Sequence, residues 1–253
     1  MANHFYVSTS AGLTGTRAAS ADTPYTSAQS GTMASLTAAN VYKSLEDACS
    51  TAKANPPTDG DFIYIADDHS YTTAWAASFS ISGTVTGVGI LVASVDATDI
   101  TAYKPGASEV NTGVSELLIN GANVHGVEFG NADDSLDVSV DGIHTTLTDC
   151  TVVNKTNSAA DRFLVINAQG CRLSFVNAEF INDGTTNMDN GFNGTDGGRI
   201  YWNGGKLTYN SSGVVTTLFL MPTIKGAEYE LNGVDLSAFV GTIVSASGTT
   251  GSG

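Results

Sequence analysis

Positive charge is scarce in this sequence. Its 253 residues include 10 Lys and Arg against 25 Asp and Glu, which gives a formal net charge of −15. A chain with this balance repels phosphate backbones and anionic lipid surfaces. We therefore expect neither nucleic acid nor a membrane among its partners.

Cysteine and long apolar runs are also scarce. The cysteines Cys49, Cys150 and Cys171 are far apart and form no CxxC pair, so we expect neither a disulfide framework nor a zinc site. The N-terminus lacks the basic start and apolar run of a secretory signal. No stretch approaches the roughly 18 uninterrupted apolar residues that predict a membrane span. The sequence therefore predicts synthesis in a cytoplasm and no membrane span.

Patterns that carry catalysis or bind cofactors are missing as well. The four histidines show no HxH or HxxxH spacing, and no Gly-rich stretch has the strand-to-helix context of a nucleotide loop. The acid-rich loop 131–137 offers oxygen ligands for Ca²⁺ but lacks the ligand spacing of an EF-hand, so we prefer to interpret it as a solvated turn. We expect no catalytic, cofactor-binding or metal-binding residues, and no cofactor.

Glycine and small polar residues dominate instead, and this composition favours β architecture. Residues 4–8 predict a short strand, and residues 9–40 form a Ser/Thr/Ala/Gly-rich arm with almost no charge. Apolar residues then recur at helical spacing, which predicts a helix from Ser44 to about Ala54 with Ser44 as its N-cap. This helix must end before Pro56.

A six-residue unit recurs in the second half of the chain. Its first and sixth positions are apolar or aromatic, its third is usually Gly, Asn or Asp, and its fourth is usually small or β-branched. The copies begin 23, 28, 27 and 29 residues apart, at Val124, Leu147, Phe175, Trp202 and Leu231. We interpret each unit as a strand, a sharp bend and a second strand.

The third position of the unit is the bend, because its residue types tolerate a left-handed backbone. The five bend positions are Gly126, Asp149, Asn177, Gly204 and Gly233. After the bend, the two-residue alternation of a strand points positions four and six inward and position five outward. The outward residues are Glu128, Thr151, Glu179, Lys206 and Asp235.

A spacing of about 27 residues is typical of one coil of a parallel β-helix, in which coils stack roughly 4.8 Å apart. The sequence therefore predicts an all-β solenoid of about seven coils between residues 60 and 245. An ordinary β-sandwich with coincidental Asn-Gly turns is the alternative.

The outward row is the first place to look for chemistry. Glu128 and Glu179 are two coils apart, roughly 9–10 Å, which is near the upper limit for an inverting glycosidase pair. Thr151 lies between them and Lys206 follows, an alternation that serves a solvated face equally well. We prefer the solvated face.

The beginning of the predicted solenoid resembles a known superfamily. The run from Ser44 through Gly60-Asp61 and Phe62–Ala66 to Tyr71 is similar to the opening of pectate-lyase-like β-helix proteins. The resemblance implies a right-handed, single-stranded parallel β-helix capped by a short N-terminal helix. It divides the chain into an N-terminal strand and extended arm (1–43), the capping helix and β-helix (44–245) and a flexible tail (246–253).

A narrower similarity links the chain to β-helix virion structural proteins of tailed bacteriophages. It is carried by Tyr6-Val7-Ser8 and by the segment Ile63–Ser70, which reads IYIADDHS. The resemblance implies a non-enzymatic capsid decoration (cement) or head-spike protein, located in the virion after synthesis in the host cytoplasm. Its expected partners are the major capsid protein or another shell protein, and further copies of itself.

Two other functions stay open. A tailspike-like carbohydrate-binding or depolymerising protein would use a groove lined by aromatic residues and paired carboxylates, and a bacterial surface adhesin is less favoured because no secretory signal is found. For attachment to a shell or to sister subunits we expect residues 1–43, together with the first coil, to provide the contacts. The alternative is that the arm is a loop packed along the flank of its own solenoid. The partner-binding candidates are Phe5, Tyr6, Leu13, Arg17, Tyr25, Met33 and Leu36.

Overall fold

The computed structural model is an all-β parallel solenoid of about five turns with one short α-helix, which confirms the predicted fold class. It describes residues 2–10, 24–37, 40–49, 55–70, 79–81, 89–113, 117–131, 136–155, 157–160, 162–194, 198–222 and 227–247.

The strands fall into three parallel stacks, which we call the first, second and third faces. The first face begins with β1 (His4–Val7), β2 (Val41–Tyr42), β3 (Phe62–Ala66), β5 (Ile90–Asp96), β9 (Ala122–His125) and β12 (His144–Thr148). It continues through the first halves of β15 (Arg172–Asn182) and β17 (Arg199–Tyr209) to β19 (Glu228–Asn232). The second face contains β7 (Ser108–Gly113), β10 (Val127–Asn131), β13 (Thr151–Asn154) and the second halves of β15 and β17.

The third face is a separate sheet in the same chain order. Its strands are β4 (Phe79–Ser80), β8 (Leu117–Leu118), β11 (Leu136–Val138), β14 (Leu164–Ile166), β16 (Met188–Gly194), β18 (Val215–Pro222) and β20 (Thr242–Ser247). From β3 to β19 the described first face has seven strands in the stack, but the described second face has strands at only five of these levels. The solenoid therefore has about five complete turns, fewer than the seven coils expected between residues 60 and 245.

The bend between the first and second faces is built as the repeat indicates. Pairing of the flanking residues places Gly126, Asp149, Asn177, Gly204 and Gly233 in register, one per level. All five have a positive φ, between 51° and 70°. Asp149 and Asn177 are the only non-glycine residues with positive φ in the described part of the chain. Each level therefore turns the same corner with a left-handed residue.

Inward-facing residues of the repeat form one continuous core. Its C-terminal half holds a cluster of fully buried aromatic rings whose centroids lie 4.8–6.4 Å apart. These rings belong to Phe163, Phe175, Phe180, Phe192, Trp202 and Phe219. The Trp202 indole donates to the Ala178 carbonyl at 3.2 Å, so its one polar atom is satisfied inside the core.

The N-terminal end of the stack is covered. Ser44 caps the helix α1 (Leu45–Cys49) as expected, since its Oγ accepts from the Asp47 amide at 3.1 Å. The helix packs against β1, β2 and β4. The rest of the predicted helix, residues 50–54, lies outside the described residues.

The described part of the N-terminal arm packs along the flank of the solenoid. Within residues 24–37, Tyr25 forms backbone hydrogen bonds with His4, and the Met33 amide donates to the Ala97 carbonyl at 2.8 Å. Met33 is fully buried in a second apolar cluster that also contains Tyr6. The polar composition of the arm does not predict this packing, because a few apolar residues are enough to hold a segment along the flank of the solenoid.

One excursion interrupts the repeat. The strand β6 (Asp99–Tyr103) runs antiparallel to β5 instead of stacking on the level below. Lys104 follows it and bonds both Asp67 and Asp96, which fixes the excursion to the turn after β3. The sequence repeat did not indicate this hairpin, since no other level has a counterpart of β6 among the described residues.

Candidate functional site: the groove beside the bend

A row of polar side chains runs along the second face next to the bend. In register, from one level to the next, the residues of this outer row are Glu109, Glu128, Thr151, Glu179, Lys206 and Asp235. Five of the six were expected from the repeat. Glu109 was missed because the excursion of β6 removes the recognisable unit from its level.

The outer row borders a groove of about 590 Å³. The groove lies along the bend: its lining includes the left-handed residues Asp149 and Asn177, four residues of the outer row, and Pro105 and Gly106, which follow β6. The lining residues are Pro105, Gly106, Asp149, Cys150, Thr151, Asn177, Glu179, Gly205, Lys206 and Asp235. Such a groove can accommodate an extended polar ligand by hydrogen bonds.

Most of the charges beside the groove are already engaged with each other. Lys155 contacts Glu109 at 2.7 Å, and Lys206 contacts Glu179 at 2.9 Å. The Thr208 hydroxyl also donates to Glu179 at 3.1 Å. The contacts of Glu179 link neighbouring levels, and the Lys155–Glu109 contact spans two levels across β10. The row therefore stabilises the stack and holds its side chains in place.

Glu128 is different, because no cation contacts it within the described part of the chain. Burial, together with the nearby carboxylates of Glu109 and Glu179, raises the pKa of Glu128, and Lys155 opposes this shift. Two sheet spacings separate Glu128 from Glu179, which is roughly 9–10 Å. The row thus contains one glutamate whose pKa is raised, Glu128, and two glutamates that each contact a lysine, Glu109 and Glu179.

Beneath the excursion, three polar groups meet at the bend. Asn177 donates to Asp149 at 2.7 Å, and the Tyr103 hydroxyl donates to the other oxygen of Asp149 at 3.4 Å. Burial and the Asp149 carboxylate raise the pKa of Tyr103, so its hydroxyl stays protonated at neutral pH. Asp149 and Asn177 line the groove and offer hydrogen-bonding groups to a ligand there.

The acidic groups do not converge on a single point. Among the described residues, no three His, Cys, Asp or Glu side chains form a cluster able to hold a metal ion. The acid-rich loop 131–137 lies partly outside the described residues. No helix in the described part of the chain is long and apolar enough to span a membrane.

The predicted partner-binding residues lie in different environments. Phe5, Tyr6 and Met33 are at most 1% exposed, so we assign their side chains to the core and correct the expectation that they contact a partner. Tyr25 and Leu36 are half-buried on the flank. Leu13 and Arg17 lie outside the described residues.

Comparisons with protein-family models, with curated proteins and with solved structures find no match to this chain.

Proposed function

We propose that this chain is a non-catalytic structural protein of a tailed-bacteriophage virion, a capsid decoration or head-spike protein attached to the shell. One observation carries the proposal. The two segments that resemble phage β-helix proteins, Tyr6–Ser8 and Ile63–Ser70, are far apart in the sequence but form one unit. Tyr6 pairs with Tyr64, their rings stack 4.9 Å apart, and the Ser8 hydroxyl donates to Asp68 at 2.8 Å.

The packing of the arm on this unit supports the same function. The Tyr6 hydroxyl accepts from the Gln29 amide at 2.7 Å, and the Tyr25 ring meets Tyr6 edge-on at 5.6 Å. The arm therefore presents its outer side from a fixed position on the solenoid. A stacked solenoid with a preformed surface along its flank is suited to a protein that binds a shell without a conformational change.

Incorporation into particles tests the proposal. Virions produced from the genome that encodes this chain are purified on a density gradient, and the copies of the chain per particle are counted by quantitative mass spectrometry. We expect a constant copy number, and rebinding of purified chain to particles made without it. A chain that stays in the soluble fraction and does not rebind contradicts the proposal.

The role of the arm is tested on its exposed side. Ala28→Glu and Ala34→Glu add charge at exposed positions without touching the core. We expect both to reduce incorporation, whereas the control Ala159→Glu, on an exposed loop elsewhere, leaves it unchanged. Equal incorporation of all three variants would place the attachment surface away from the arm.

The groove supports a second candidate, a tailspike-like carbohydrate-binding or depolymerising protein. Glu179 lines the groove, and Glu128 lies two levels away in the same outer row, roughly 9–10 Å from it, near the upper limit for an inverting pair. This function requires the purified chain to release reducing ends from the surface polysaccharide of its host, with the activity lost in Glu128→Gln and Glu179→Gln. We expect no release, because Glu179 is engaged by Lys206 and Thr208.

A further inference from the structure

Three basic residues occupy one column on the outer side of the first face. From one level to the next they are His144, Arg172 and Arg199, which pair in register at the starts of β12, β15 and β17. All three side chains are exposed. Neighbouring levels are roughly 4.8 Å apart, so the two arginines lie directly opposite each other. We call these three residues the basic column.

The basic column is unfavourable for the stack by itself, because like charges directly opposite each other on neighbouring strands destabilise a sheet. The chain has 25 Asp and Glu but only 10 Lys and Arg, so an acid is the commoner neighbour for any cation. On the second face, for example, Lys206 lies between Glu179 and Asp235. A negatively charged group beside the basic column would remove the repulsion between its arginines.

Arg172 contacts no carboxylate within the described part of the chain. Its guanidinium lies over the Tyr201 ring, with the Cζ atom 4.4 Å from the ring centroid. Stacking on an aromatic ring orients a guanidinium and leaves its N–H groups able to donate. Arg199 contacts Glu228 through Nε at 3.1 Å, but both side chains are more than half exposed, and such an ion pair contributes little.

A hydroxyl and an imidazole lie beside Arg172. Ser174 is two residues further along β15, on the same side of the strand, and the His144 Nε2 lies 2.9 Å from the Ser174 Oγ. Burial and the Arg172 cation lower the pKa of His144, so its imidazole is neutral at neutral pH and carries one N–H donor. A bound anion would oppose the effect of Arg172 and raise this pKa.

We propose that the basic column binds a phosphate or sulfate group between Arg172 and Arg199. Two adjacent guanidinium groups match the two negative charges of this group, and its oxygens accept charge-assisted hydrogen bonds from them. The net charge of −15 opposes the approach of a polyanion, so the ligand is a single group, either a free ion or a monoester. The inference does not depend on the proposed virion function.

Titration of the purified, isotope-labelled chain with sodium phosphate tests the proposal, at neutral pH and at an ionic strength held constant with sodium chloride. Amide resonances around Arg172 and Arg199 should shift and saturate. Arg172→Gln and Arg199→Gln should each weaken binding by about tenfold. The matched control Lys155→Gln removes one positive charge from the second face and should leave the affinity unchanged.

Other anions identify the chemistry of the ligand. Sulfate should bind about as tightly as phosphate, whereas acetate, which carries a single charge, should bind at least about tenfold more weakly. Tighter binding of glycerol phosphate than of phosphate supports a monoester as the ligand, and weaker binding supports the free ion. Acetate that binds as tightly as phosphate overturns the assignment to a phosphate or sulfate group.

The imidazole resonances of His144 provide a second measurement. Phosphate should raise the pKa of His144 in the wild-type chain and leave it unchanged in Arg172→Gln. Circular dichroism without phosphate checks that both arginine variants are folded. Resonance shifts no larger than those caused by chloride alone overturn the proposal, as does equal phosphate affinity of the wild-type chain and both folded variants.

Discussion

Asn182 lies directly above Asn154 in the core, and the Asn154 side-chain amide donates to the Asn182 side-chain oxygen at 3.0 Å. Asn182 in turn donates to the Gly213 carbonyl at 3.0 Å, so two fully buried amides connect three levels. Buried polar groups stabilise a fold only when their hydrogen bonds are made. The pair therefore fixes the register between levels.

Asn182→Ala should destabilise the chain strongly. The change leaves the amide of Asn154 and the carbonyl of Gly213 without these bonds and opens a cavity, which should lower the free energy of unfolding by about 2–3 kcal/mol. The control Asn203→Ala, at an exposed strand position, should lower it by less than about 0.5 kcal/mol. Chemical denaturation measures both. Similar losses would contradict a structural role for the pair.

Alanine substitutions at two bend glycines distinguish the destabilisation caused by backbone strain from that caused by steric crowding. Gly126 and Gly233 have nearly the same φ, 69° and 65°. A Cβ at Gly233 meets nothing within 4 Å, whereas one at Gly126 would lie 2.7 Å from the Pro105 Cα and from the Tyr103 hydroxyl. Gly233→Ala should cost about 1 kcal/mol from strain alone, and Gly126→Ala about 1–3 kcal/mol more. Equal melting temperatures of the two variants would show that Tyr103 and Pro105 can move away from the added methyl group at little cost in stability.

Glu128→Gln should stabilise the chain at pH 7. Burial and Glu109 raise the pKa of Glu128, so the folded state binds its proton more tightly than the unfolded state. The stability gained from this group is present at low pH and lost as pH rises above its ordinary pKa of 4.5. We expect a rise in melting temperature of about 1–3 °C at pH 7, and a smaller difference at pH 4.

The control for this change is Glu179→Gln. It weakens the contacts of Glu179 with Lys206 and Thr208, and should lower the melting temperature slightly, because partly exposed ion pairs contribute little. If Glu128→Gln is also destabilising at pH 7, the carboxylate of Glu128 is better solvated than its position indicates.

Acidification should destabilise the chain through His69. This residue is 1% exposed, its Nδ1 lies 2.7 Å from the Glu109 carbonyl oxygen, and burial lowers its pKa. The unfolded state therefore binds more protons as pH falls below the ordinary value of 6.5, and the free energy of unfolding decreases there. Burial lowers the pKa of His4 and His144 in the same direction.

The pH dependence identifies the contribution of His69. Free energies of unfolding are measured between pH 5 and 8 for the wild-type chain and for His69→Gln. The variant should show a weaker decrease below pH 6.5, whatever its stability at pH 8. Parallel curves would assign the effect to other groups.

The sequence repeat was sufficient to predict the levels, the bend and most of the outer row. Each of these depends on a residue type that backbone geometry or burial selects at every level, so the signal is repeated. The asparagine pair was also accessible, because Asn154 and Asn182 each lie seven residues after the start of their unit. The six-residue unit ends before these positions and so does not include them.

Features that occur once were not predictable in this way. The β6 excursion and its Lys104 contacts have no second copy in the sequence. The packing of Met33 depends on Ala97 and on Tyr6, which are distant along the chain. The composition of the arm does not distinguish a segment that packs on the solenoid through Tyr25, Met33 and Leu36 from a segment that makes no contact with it.

Stacking of the levels has a consequence for how the molecule comes apart. Apart from the antiparallel pair of β5 and β6, each described strand pairs only with strands at the levels before and after it. The stability of the stack is therefore a sum over adjacent levels and differs along the solenoid. It is greatest around Trp202 and Phe192, where rings from several levels interlock. Unfolding by heat or mechanical force should therefore begin at the ends of the solenoid, and the levels around Trp202 should unfold last.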